Sequence, residues 1–198
     1  FFNYDFNKDG GIEFTLFSAV LAVSQLSALM LFPMLAKKMS RKKIFTMAIG
    51  MITVGYGLFM SVGYIFPMNM ATIGLAGLVL FSGQGFIQVL VLVMLADTIE
   101  YGQWKIGTRN ESVVFAINPF VTKLATSVQT FVVSLTLVAS GLNSKVIQPV
   151  TAAKEANPGM SNEDVRALIA SNVTEPMLLG LRTSMIVIPL ILIVVSYL

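Results

Sequence analysis

Lys123 is the residue whose chemistry is hardest to reconcile with its surroundings. It lies inside the apolar run Val113–Leu142 and is the only charge between Glu111 and Lys145. Counted from Ser112, it sits about 16 Å along a helix. That is near the middle of a hydrocarbon layer about 30 Å thick. A cation at that depth costs about 2.5–3.5 kcal/mol on insertion scales, so it normally faces a bundle interior or a wet cavity and has a partner. A lysine stem reaches only about 6 Å, too short to carry the ammonium group out to the interface. A structural ion pair is the plain alternative. The depth favours a functional site on a transport path.

The same helix offers Asn118, Thr122, Thr126, Gln129, Thr130 and Ser134. Their spacings of three and four gather them into a broad stripe. Gln25 in the first span, with Gln84 and Gln88 on one face of the third, adds amides at similar depth. Amides donate and accept, which suits a hydroxyl-rich solute. Hydrogen bonds between neighbouring helices are the competing use for such groups.

The composition excludes much else. The chain of 198 residues is 56% hydrophobic and 12% charged, where soluble domains carry about 25% charge. It is an integral membrane protein. With no Cys and no His, disulfides, thiol catalysis, Cys/His zinc sites and haem attachment are absent. No GxxxxGK[ST] loop is present to drive transport with ATP. No nucleophile–base pair or metal set points to an enzyme, and no organic cofactor is called for. The net charge of +3 reflects a basic cluster that orients the chain in a membrane, so nucleic acid is not an expected partner. The membrane interior holds no isolated carboxylate, so cation ligands would come from elsewhere. The chain starts at Phe1 and stops in an apolar run at Leu198, which reads as an internal piece of a longer protein.

Five segments are long enough to span: 14–36, 44–66, 70–96, 113–142 and 176–198. All should be helical, because lipid leaves backbone groups no other partner. Lys37-Lys38-Met39-Ser40-Arg41-Lys42-Lys43 carries five positive charges and should be cytoplasmic. By alternation, residues 1–13 are external, 97–111 form a cytoplasmic loop, and 143–175 form an external loop. Within that external loop, Ser161 and Asp164 fit a capping box for a short helix over about 162–171. Glycines in the second and third spans permit close helix approach. Pro33, Pro119 and Pro189 should kink their helices. Asp5-Phe-Asn7-Lys-Asp9-Gly10 copies the start of an EF-hand calcium loop, but Leu16 stands where the bidentate Glu belongs. Asp5, Asn7 and Asp9 are therefore weak calcium candidates, and no other metal site is expected.

The stretch Asp97-Thr-Ile-Glu100-Tyr101-Gly-Gln-Trp104-Lys105-Ile-Gly-Thr-Arg109-Asn-Glu111 resembles the signature of the glycoside-pentoside-hexuronide:cation symporters, the melibiose-permease group of the major facilitator superfamily. That pattern reads D-x-x-[DE]-Y-G-E-[WY]-K-x-G-x-R-x-E, with a lysine in the following helix where Lys123 falls. Gln103 stands in place of the usual Glu.

The resemblance implies an all-α membrane protein with a major facilitator type helical bundle, of which residues 1–198 supply five transmembrane helices of the carboxyl-terminal six-helix half. It implies sugar symport with Na⁺ or H⁺ by alternating access in the plasma membrane, bacterial and multi-pass. The amino-terminal half and the lipid bilayer are the partners it implies. Lys123 would be a movable positive charge that pairs with carboxylates of the other half. Arg41, Asp97, Glu100, Tyr101 and Arg109 would belong to a cytoplasmic gate. A non-transporting sensor or scaffold of the same fold is the alternative.

Overall fold

The computed structural model describes residues 12–109 and 111–197. The order is α1 (Ile12–Lys38), α2 (Arg41–Ser61), α3 (Met70–Ile106), α4 (Glu111–Ala139), a π-helical turn (Asn143–Ile147), α5 (Gln148–Ala156), α6 (Asn162–Asn172) and α7 (Glu175–Tyr197). Five of these, α1 to α4 and α7, are long and apolar enough to cross a membrane. The chain is an all-α membrane protein.

The described residues form two compact units, one within 17–128 and the other combining 12–16 with 129–197. In the first, Ala28 and Phe32 of α1, Ile44 and Ala48 of α2, and Phe86 and Leu90 of α3 form the buried core. Lipid is as apolar as these side chains, so association depends on packing and on small residues that admit a neighbouring backbone. A methyl group at Gly55 would lie 2.7 Å from the Leu80 Cα, and one at Gly83 would lie 2.8 Å from the Ala48 carbonyl oxygen. Gly85 makes a similar approach to Ala28 of α1, at 2.8 Å. Phe17 closes one end of this core against Phe59 and Phe81, with centroids 6.1 and 5.3 Å away. In the second unit, Leu142, Val146, Met177 and Leu181 form the core, with Val150 and Ile169 packed on it.

Several helix ends differ from the hydropathy boundaries, for local reasons. Residues 97–111 are expected as a loop, yet α3 continues to Ile106 because nothing before Gly107 requires a non-helical backbone. Gly107, at φ 77°, supplies the left-handed cap and its N–H donates to the Gln103 carbonyl at 3.0 Å. Likewise α2 stops at Ser61, where Val62–Phe66 forms a tight turn, and α4 stops at Ala139 ahead of Gly141. Lys37 and Lys38 close α1, and Arg41, Lys42 and Lys43 open α2, leaving Met39–Ser40 as the connection.

The segment 143–175 holds more helix than its sequence indicates. The π turn runs into α5, with Pro149 in the first turn, ahead of α6. At α6 the Ser161 Oγ accepts from the Asp164 N–H at 3.2 Å and donates to the Asp164 Oδ2 at 2.8 Å. Asn69 caps α3 in the same way, its Oδ1 accepting from the Thr72 N–H at 2.9 Å.

Gly83→Val places branched bulk against the α2 backbone and should lower stability by about 1–3 kcal/mol. Gly50→Ala, at a position with nothing within 4 Å, should not. Thermal unfolding in detergent checks both, and equal midpoints would remove the close-approach account.

Candidate functional site

The antiparallel contact of α2 with α3 brings together residues far apart in sequence. Arg41, in the first turn of α2, forms an ion pair through Nη1 with the Asp97 Oδ2 of α3. Arg41 and Asp97 also line a recess of about 300 Å³ with Met94, Thr98 and Tyr101. Three of the five expected gate residues therefore lie together. The pair is wet, the two side chains being 55% and 34% exposed. Exposed pairs contribute about 0.2–1 kcal/mol.

Further along α3, the Tyr101 and Trp104 rings lie 5.9 Å apart, tilted by 43°. The Lys105 Nζ sits over the Tyr101 ring, 5.6 Å from its centroid. Glu100 is exposed on the same turn. Arg109 pairs with its sequence neighbour Glu111, Nε donating to Oε2 at 2.8 Å. The gate set thus divides into a pair across two helices and a pair within one connection.

In the membrane, α1 and α3 meet where a methyl group at Gly85 would lie 3.3 Å from the Gln25 Cα. Gln25 and Gln84 flank that contact and are half-buried, while Gln88, one turn on, is exposed. On α4, Lys123, Thr122 and Thr126 are exposed and Asn118 is half-buried, and the helix buries no residue. The Thr122 Oγ1 donates to the Asn118 carbonyl and the Thr126 Oγ1 to the Thr122 carbonyl, each at 2.9 Å. The Ser127 Oγ donates to the Lys123 carbonyl at 3.0 Å. These hydroxyls satisfy themselves on their own helix, leaving lone pairs directed outward. Lys123 is not enclosed with the three amides.

A cavity of about 350 Å³ in the second unit, lined by Val146, Ile147, Val150 and Ile169 among others, contains none of the expected residues. Asp5, Asn7 and Asp9 lie outside the described residues. Among the described residues no group of three acidic, His or Cys side chains is placed to hold a metal.

Arg182 escapes the sequence reading. It lies about 10 Å into α7 and is only 7% exposed. The signal was available, because Arg182 is the only charge between Glu175 and Leu198. Arg182 is shallower than Lys123, and burial rather than depth sets it apart.

A family profile described as MFS/sugar transport protein matches residues 1–198. A lactose permease of Lactobacillus helveticus is 35% identical over 137 residues, covering 69% of this chain and 20% of that protein. An isoprimeverose transporter of Lactiplantibacillus pentosus is 32% identical over 143 residues, covering 71% and 28%. A raffinose carrier protein of Pediococcus pentosaceus is 30% identical over 132 residues, covering 67% and 20%. The matched part of the chain thus corresponds to between a fifth and under a third of each relative.

A double-mutant cycle on Arg41→Ala and Asp97→Ala should return a stability coupling below about 1 kcal/mol. Chemical unfolding in micelles measures it. A coupling above about 3 kcal/mol, the scale of a buried pair, would contradict a solvent-screened contact.

Proposed function

From the premise that this chain belongs to the MFS/sugar transport protein family, we propose that it forms part of a secondary active transporter carrying a glycoside together with Na⁺ or H⁺. The observation carrying this reading is the family match over the whole chain. The names of the relatives, lactose, raffinose and isoprimeverose, support a substrate with a glycosidic linkage and many hydroxyls. The chain acts as a transporter and not as an enzyme, in the bacterial cytoplasmic membrane, as five helices of a six-helix half working against a second bundle.

Lys123 is the mobile charge in this reading. When the cation site of the second bundle is empty, its ammonium group neutralises the carboxylates there. When Na⁺ or H⁺ arrives, the ammonium is displaced, because two cations cannot share one set of carboxylates at full strength. The displaced group changes which bundle arrangement is favoured, and a few kcal/mol of such bias moves a two-state equilibrium decisively. Alternating access at a midplane site follows.

Asn118, Thr122, Thr126, Gln25, Gln84 and Gln88 supply hydrogen-bonding groups along the sugar path. Carbonyls already accepting from Thr122 and Thr126 leave the hydroxyl oxygens able to accept from sugar hydroxyls. Arg41, Asp97, Glu100, Tyr101 and Arg109 act at the cytoplasmic end as contacts that form in one arrangement and break in the other.

Lys123→Ala should abolish ion-driven accumulation of labelled glycoside in proteoliposomes of the intact transporter while membrane insertion persists. Accumulation at the normal level would remove the coupling role. Asp97→Asn should change the inward/outward balance read by accessibility labelling, and labelling identical to that of the parent protein in both states would remove the gate role.

A further inference from the structure

The basic connection between α1 and α2 holds two kinds of cation. Arg41 is committed to Asp97. Lys37, Lys38, Lys42 and Lys43 are exposed, and among the described residues no carboxylate lies within ion-pair range of them. Four ammonium groups within seven residues repel one another unless an anion lies between them.

Their height identifies the anion. Lys37 and Lys38 follow directly on the apolar run that ends at Ala36, and Lys42 and Lys43 directly precede the buried Ile44. The connection is therefore held at the edge of the hydrocarbon layer, level with lipid phosphates. Beside it, α3 has 37 residues and is about 55 Å long, against about 40–45 Å for a bilayer with its headgroups. Its last turns consequently lie in or just beyond the headgroup layer. They carry Tyr101, which lines the Arg41 recess, and Trp104, which is 81% exposed. Amphipathic rings of this kind partition to the headgroup level.

We propose that Lys37, Lys38, Lys42 and Lys43 form a binding surface for the phosphate headgroups of anionic phospholipid, with the Tyr101–Trp104 pair as its aromatic rim. Clusters of four or more basic residues next to a membrane span attract anionic lipid, each contributing about 1 kcal/mol. Lipid also reaches this surface at far higher local concentration than any soluble anion. The close packing of α2 on α3 at Gly55 and Gly83 holds this surface beside the end of α3.

The test uses the intact transporter in phosphatidylcholine nanodiscs containing a minority of phosphatidylglycerol, with retained lipid counted by native mass spectrometry. The variants Lys37→Gln/Lys38→Gln and Lys42→Gln/Lys43→Gln each leave three positive charges in the connection, enough to preserve its orientation. Each should lower the phosphatidylglycerol-to-phosphatidylcholine ratio by at least about fivefold. Replacing the same lysines by Arg should preserve it, and raised salt should lower it for the parent protein. An unchanged ratio in both Gln variants would overturn the proposal. So would loss of the ratio in the Arg variants, or displacement of the lipid by an equal concentration of inorganic phosphate, which would mark a soluble-anion site.

Discussion

The approach of α2 to α3 without intervening side chains is the constraint on which the first unit depends. In water two such helices would be driven together by burying apolar surface, but in lipid that force is absent and contact must come from fit. Gly55 against Leu80 and Gly83 against Ala48 and Ile52 provide it. These contacts run antiparallel, and carried to the end of the helices they bring Arg41 to Asp97. The charged contact is thus a consequence of small residues about ten to twenty-five Å away along the helices. The same fit holds the basic connection beside the end of α3.

On α4 the opposite chemistry gives the opposite result. Asn118, Thr122, Lys123 and Thr126 occupy one broad stripe, and a core of Phe, Ile and Ala offers such a stripe nothing to bond. The hydroxyls turn back onto their own backbone, which is tolerable anywhere, but an ammonium group has no such option. Burial is accordingly absent along this helix. A charged helix face in a membrane protein calls for a polar or anionic counterpart, the physical basis of the proposed second bundle.

The helical class and the number of long apolar helices were legible because both follow from hydropathy and from the backbone's need for internal hydrogen bonds in lipid. Helix ends were not, since hydropathy measures where lipid stops, whereas α3 stops where Gly107 permits a left-handed cap. The Asn162 start of α6 was legible because Ser161 and Asp164 are local capping chemistry. The helix Gln148–Ala156 lacks a side-chain cap, and Pro149 in its first turn was the start signal left unread. Arg41 and Asp97 could each be singled out by resemblance, but their pairing depends on helix register, which spacing alone does not encode. Arg182 stood out as a lone charge in an apolar run, but its burial follows from packing that the sequence does not encode.

The wetness of the Arg41–Asp97 contact bears on what such a pair can do. A buried pair is strongly destabilising to break, by about 3–5 kcal/mol when one partner is removed, and would lock one arrangement. A half-exposed pair is worth about 1 kcal/mol or less, because water replaces each partner as the charges separate. Arg41 and Asp97 both belong to the α2–α3 pair of one unit, so the contact does not itself join two bundles. A contact of this strength that exchanges partners between two arrangements shifts their ratio by up to about fivefold. A gate built from several such pairs opens without any single large barrier, and its balance responds to one charge moving elsewhere in the protein. The proposed displacement of the Lys123 ammonium group is a change of that kind, so a weak inner contact is compatible with coupling where a strong one would oppose it.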